Sequence, residues 1–379
     1  MKICFVTHKP NLTGTNQSLI DMLEGFKDLD VQPVVLVKSK GPLLFELEKI
    51  SIPYKIIRYT NEVSERRKKN QGIDTIRKYY NYIALPEIMH YFQKEKFDVI
   101  HVNSFMNGIG LQAAQKCHIP YVCHLRDFIE EDHGLYFINE NKQYQNLRNA
   151  NKIIAISNAI KKKFIKYVSE EKISIMYDPI DSAKYYIKHS TLFSDGINML
   201  LAGTIKKTKG QLDAIQAVEI LRNSYGINAK LFIVGSSDGS NYLEYIKNYV
   251  KCNSLTGVKF LPFTNLKEIR KKCDIGLMCS SNEGMGRVTL ESMLSGCLTI
   301  GADAGATSEL IQHQNNGLLY TNNDPESLAK QIMWAFNNKE RANKIALLAQ
   351  KKVNEQFDKR DYSQKIISIY KQILASKNL

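Results

Sequence analysis

The chain has 379 residues, enough for about two or three domains, each with its own core. Its 44% hydrophobic and 24% charged residues are those of a soluble globular protein, and no apolar run nears the roughly eighteen residues that a membrane-crossing helix needs. The formal net charge of +14 suits nucleic acid, an anionic membrane surface or a solvated lysine-rich face, and with no nucleic-acid motif present the first is excluded.

The N-terminus turns polar too soon for a signal peptide, and residues 2–8 read as a buried strand. A loop bearing Gly14 leads to a helix with Leu19, Ile20, Met22, Leu23 and Phe26 on one face. Strand, glycine loop and helix open a doubly wound α/β domain, without the G-x-G-x-x-G fingerprint. Residues 34–37 and 54–57 are further strands around a short helix at 43–50. Residues 60–72, with Arg66, Arg67, Lys68 and Lys69, read as a mobile loop. From Ile76 to Ile83, basic residues alternate with tyrosines, which suits a membrane interface, a glycan face or an exposed helix rim.

Strands at 97–104 and 121–128 end in polar residues. Carboxyl ends of strands line the ligand crevice of an open α/β sheet, so Asn103 and Ser104 border it, and His124, Arg126 and Asp127 cluster there. Arg126 reaches a phosphate or pairs with Asp127; the sequence leaves both open. A helix after Ser157 turns Ile160, Phe164 and Tyr167 inward and Lys161, Lys162, Lys163 and Lys166 outward as a cationic face. The polar stretch 182–195 is the expected boundary between a first domain, 1–185, and a second, 195–358.

A second strand-helix series starts at 197–203. Lys209-Gly210 at a helix start suits a phosphate, and strands follow at 231–235, 259–263 and 275–278. The series ends in three helices near 324–336, 338–356 and 360–375, the last with an apolar side formed by Tyr362, Ile366 and Tyr370. The seven cysteines are odd in number and form no C-x-x-C pair, which reads as reduced thiols of a cytoplasmic protein without a zinc site.

The chain is organised around Ser280–Met293, where a strand meets a loop with two glycines and then a helix from Arg287 to Leu294. Glycines admit a close ligand, and a helix N-terminus offers unpaired N–H groups and partial positive charge to a phosphate. Glu291, a turn into the helix, suits a pair of ribose hydroxyls, so the physics points to a nucleotide. Two carboxylates, Glu283 and Glu291, frame the turn in an E-x7-E pattern.

With its serines and its Gly-Met-Gly loop, this stretch resembles the signature of the retaining glycosyltransferases of family 4, the glycosyl transferases of group 1. The resemblance implies an α/β chain of GT-B fold, two doubly wound Rossmann-like domains facing a cleft. The first domain would bind the acceptor and be completed by the C-terminal helix, 360–379; the second would bind the nucleotide sugar. It implies retaining transfer of a hexosyl group, without metal or other cofactor, from an NDP-sugar, UDP-linked by expectation, to a glycan or lipid-linked acceptor in cell-surface polysaccharide synthesis. The basic charge extends this to the cytoplasmic face of an anionic membrane.

Residue by residue, the resemblance assigns Glu283, His124 and Lys209 to catalysis. Donor binding falls to Gly14, Thr204, Lys206, Lys209, Glu291, and the backbone of Gly284, Met285, Gly286, Arg287 and Val288. Thr204 stands where the family has an arginine, and Lys206 or Arg287 supplies the missing cation. Thr13 and Ala306 replace family glycines, and Asp178-Pro179 replaces an asparagine-glycine turn. The alternatives are a sugar-nucleotide epimerase or hydrolase on the same fold, and a degenerate subunit partnering an active transferase.

Overall fold

The computed structural model describes residues 1–65, 71–188, 191–262 and 265–376. The basic run Arg66–Lys69 and Phe263 lie outside the described residues. The chain forms two compact units, Met1–Pro179 with Phe357–Leu379, and Ile180–Gln356.

The first unit holds β1 (Lys2–Val6), β2 (Gln32–Val37), β3 (Tyr54–Ile56), β4 (Val63–Glu65), β5 (Val99–Val102), β6 (Tyr121–Leu125), β7 (Leu135–Phe137), β8 (Lys152–Ala155) and β9 (Ile173–Ile175). Seven of these make a parallel sheet in the order β3-β2-β1-β5-β6-β8-β9. β1, β5 and β6 are apolar almost throughout because helices cover both faces of a parallel sheet. The C-terminal helix Lys359–Ala375 packs Tyr362, Ile366 and Tyr370 into the same core as Phe5, Leu19 and Leu23. Ser363 Oγ also donates to the carbonyl of Met22 at 2.8 Å.

Two local expectations are corrected here. Part of the stretch read as a loop, Val63–Glu65, is a strand paired antiparallel with β7, and the helix Gln71–Glu95 starts before 72. Its pairing partner lies far along the chain, at Leu135–Phe137, so no local pattern announces it. The lysine face after Ser157 is half neutralised: Lys161 binds Glu170 at 2.7 Å, and Lys163 binds Glu131 and the carbonyl of Phe128.

The second unit holds β10 (Asn198–Ala202), β11 (Lys230–Val234), β12 (Val258–Leu261), β13 (Ile275–Met278), β14 (Leu298–Ala302) and β15 (Leu318–Tyr320). They form one parallel sheet in the order β12-β11-β10-β13-β14-β15. Met199, Leu201, Leu231, Ile233, Ile275 and Ile300 fill its core with side chains from the flanking helices.

Candidate active site

In the second unit the chain runs outward from β10 to β12 and then returns to the other side of β10 as β13. Strand order reverses between β10 and β13, which leaves a crevice beyond their carboxyl ends. The loops leaving these strands carry Lys209 and Glu283, 74 positions apart, and Lys209 Nζ lies 2.6 Å from Glu283 Oε2. The amide of Ser281 donates to the carbonyl of Thr208 at 3.2 Å, tying one loop to the other.

Lys209 ends the short 3-10 turn Lys207–Lys209, ahead of the helix Gln211–Tyr225. Between them Gly210 has φ 66°, and a Cβ there would lie 2.1 Å from the carbonyl oxygen of Cys279. Only glycine lets the lysine turn close on the end of β13. A second clamp comes from the loop after β14. Gly305 has φ 56°, its would-be Cβ lies 2.7 Å from the amide nitrogen of Glu283, and the Ala306 amide donates to the Glu283 carbonyl at 2.9 Å. Gly305→Ala is expected to cost about 1–3 kcal/mol of stability through strained backbone. A urea titration with the mutant midpoint unchanged would show that the clamp yields.

Gly286, at φ 88°, precedes the helix Arg287–Leu294. Gly284, Met285 and Gly286 are buried, and Arg287 and Val288 half-buried. Among the described residues no acceptor takes the amide of Gly284 or Gly286, so these N–H groups stand at a helix N-terminus with hydrogen bonds to give. One turn in, Glu291 lies 2.6 Å from Arg270 Nη2; the glutamate side chain is 12% exposed and the arginine 3%. The guanidinium also sits 5.6 Å from the centre of the Tyr185 ring. Arg270 Nε and Thr289 Oγ1 are buried without a partner among the described residues. Two carboxylates, each on a cation, flank a helix start with spare N–H donors: an arrangement chemically able to take an anion bearing hydroxyl groups.

Thr204 is exposed, and its carbonyl accepts from Gln211 Nε2 at 3.0 Å. Lys206 is half-buried just before the lysine turn. Thr204, Lys206, Lys209, Glu283 to Val288 and Glu291 thus share one unit, whereas Gly14 and His124 belong to the other. Gly14 begins the helix Gly14–Gly25.

His124, on β6, is fully buried. Its Nδ1 lies 3.2 Å from Arg126 Nη2 and 3.2 Å from His101 Nε2, and His101 Nδ1 lies 2.6 Å from the Tyr370 hydroxyl. Arg126 does not pair with Asp127, one of the two options that the sequence left open. Its Nη1 donates to both Asp178 oxygens at 2.6 and 2.7 Å, and its Nε to Asn103 Oδ1 at 3.1 Å. Asp178, read from the sequence as a turn substitution, is therefore the counter-charge of a buried arginine. Asp127 instead meets His133 at 3.3 Å. With Asp132 these two make the one group of metal-ligand spacing among the described residues.

Arg270, Tyr185, His101 and Tyr370 had no signal in the sequence. Arg270 sits in Leu266–Arg270 among other basic residues and looks like surface charge. His101 and Tyr370 occupy positions that read as core.

Two doubly wound units, each built on a parallel sheet, are the architecture of the GT-B glycosyltransferases. Residues 12–184 match the family described as Glycosyltransferase Family 4, and residues 184–352 that described as Glycosyl transferases group 1. The uncharacterized glycosyltransferase MJ1607 of Methanocaldococcus jannaschii is 26% identical over 303 residues, 73% of this chain and 76% of that protein. The UDP-Gal:alpha-D-GlcNAc-diphosphoundecaprenol alpha-1,3-galactosyltransferase of Escherichia coli is 23% identical over 364 residues, 89% of each chain. Anabaena Alr3699/HepE, solved with UDP and also with UDP-glucose, superposes with a TM-score of 0.81 at 22% identity, over 98% of this chain and 100% of that one. The chain belongs to the group 1, family 4 glycosyltransferases, and it is a transferase.

Proposed function

We propose that the protein is a retaining enzyme that moves a hexosyl group from a UDP-linked donor to a lipid-linked glycan acceptor, without a metal, in cell-surface polysaccharide synthesis. The observation that carries this reading is the pairing of Lys209 with Glu283 and of Arg270 with Glu291 around one helix start. In it the Glu291 carboxylate accepts from the ribose hydroxyls. Amides from Gly284 to Val288 hold phosphate and sugar, and Lys209 neutralises the departing diphosphate, aided by Lys206 or Arg287 in place of the arginine missing at Thr204. Glu283 and His124 meet the donor sugar, and Gly14 borders it. Catalysis then consists of stabilising the leaving group and orienting the acceptor.

The UDP-Gal and UDP-glucose named for two similar proteins support a uridine donor, and the polyprenyl-linked acceptor of one supports a lipid. So does the helix Gln71–Glu95, where Ile76, Tyr79 and Ile83 are more than half exposed at helical spacing beside Arg77 and Lys78. A cavity of about 530 Å³ near its start, lined by Lys38, Tyr59, Asn61 and Arg77, suits a polar acceptor. Among the described residues no helix is long and apolar enough to cross a membrane. The reading places the enzyme at the cytoplasmic membrane face.

The test is UDP release from UDP-glucose, UDP-galactose and UDP-N-acetylglucosamine, with and without a polyprenyl diphosphate-linked sugar in anionic vesicles. One donor should turn over, strongly stimulated by the vesicles. Fast turnover without any acceptor would indicate a hydrolase or epimerase instead.

A further inference from the structure

The His124 side chain is held by groups that leave it only one hydrogen-bonding form. Arg126 Nη2 can only donate, so His124 Nδ1 at 3.2 Å must accept and carries no proton. A neutral His124 then bears its proton on Nε2. His101 Nε2 faces the same Nδ1 at 3.2 Å, and two lone pairs would repel there, so His101 is protonated on Nε2 and donates. That leaves His101 Nδ1 as an acceptor, and the Tyr370 hydroxyl at 2.6 Å supplies the proton.

Every group facing this chain keeps it in that state. Burial, then the Arg126 charge, pulls the His101 pKa down to about 3 and that of His124 well below its usual value. Burial holds the Tyr370 hydroxyl protonated, as it does Tyr362 on the same helix. Asp178 pairs with Arg126 at 2.6 Å, so the buried guanidinium has its counter-charge away from the two rings. What remains is the N–H of His124 Nε2, buried with no acceptor among the described residues.

We infer that Tyr370, His101 and Arg126 are positioning residues that lock His124 as a neutral Nε2–H donor, the form in which the proposed function would use it toward an oxygen of the donor sugar. The part concerning the sugar rests on the proposed function; the lock itself does not. The C-terminal helix, through Tyr370, is thereby part of the transfer machinery and not only of the core.

The experiment uses the full chain with its eight histidines labelled with nitrogen-15, and reads their protonation by long-range proton–nitrogen correlation between about pH 6 and 8. His101 and His124 should both appear neutral with the proton on Nε2. A proton on His124 Nδ1, or a charged ring, would overturn the lock.

Kinetics then compares His101→Leu, which has neither donor nor acceptor, with His101→Gln, whose amide has both. With the UDP-hexose that the wild type turns over, His101→Leu should lower kcat about tenfold at little change in KM, and His101→Gln should recover most of it. Equal rates in the two, with the His124 form intact in both, would remove His101 from the lock. A His124 that loses its single form in His101→Leu while kcat stays at the wild-type value would leave the lock standing and refute the contact with the sugar. Should His101→Leu not fold, Tyr370→Phe keeps the ring in the core and breaks the same chain at its other end.

Discussion

Lys209→Ala is expected to slow sugar transfer by about 10²-fold or more, the usual loss when one charge stabiliser of a leaving group is removed. Two effects add. The cation proposed to face the diphosphate disappears, and Glu283, 2.6 Å away, loses the lysine charge at the place where the proposed function puts an anion. The lysine is placed by a turn that closes on β13 through Gly210, so a neighbour cannot simply move into its position. Lys209→Arg should recover part of the rate, because a planar fork does not reproduce a compact ammonium. Stability should change by less than about 1 kcal/mol, since both side chains keep contact with water, at 26% and 17% exposure. Steady-state rates with the preferred UDP-hexose measure the effect, and a wild-type rate would pass the role to Lys206 or Arg287.

Glu291→Ala is expected to do two separable things. UDP binding should weaken by about 1.5–3 kcal/mol, the worth of a hydrogen bond to a charged group. Folding stability should fall by about 3–5 kcal/mol, because the 3% exposed Arg270 would keep its charge without a counter-charge. Calorimetric titration with UDP reads the first and a urea midpoint the second. Replacing both partners separates them: Glu291→Leu with Arg270→Met should restore much of the stability, since an apolar pair of similar volume costs little, while UDP affinity stays lost. A folded Glu291→Ala protein with wild-type UDP affinity would remove the ribose role, whatever its stability.

The alternation of strand and helix, the helix from Arg287 to Leu294 and the lysine-glycine turn are local patterns, and all were legible. A buried parallel strand is an apolar run, and a helix start is a glycine or a cap followed by periodic side chains, so each is written in a handful of consecutive residues. Glu283 and Glu291 stood out for the same reason: both lie on one strand-loop-helix. The strand Val63–Glu65 did not, because only its partner at Leu135–Phe137 makes it a strand.

Charge pairing was the least legible feature. Arg126 had Asp127 beside it in sequence and chose Asp178, 52 positions away; Glu291 took Arg270 from a short helix that looked like a solvated basic surface. Successive residues on an extended segment point in opposite directions, so adjacency in sequence argues against contact as often as for it.

By itself, then, the order of residues determined the class: two wound α/β units, a glycine-bearing turn at a helix start and the carboxylates near it. Tertiary structure decided which cation Glu283 and Glu291 each hold, which groups His101 and His124 face, and that a tyrosine from the last helix belongs to that chain of hydrogen bonds. The physical reason is range. Strand, helix and turn propensities act over a few residues, whereas a buried charge or N–H takes whichever partner the packed core brings within 3 Å or so, from any point along the chain.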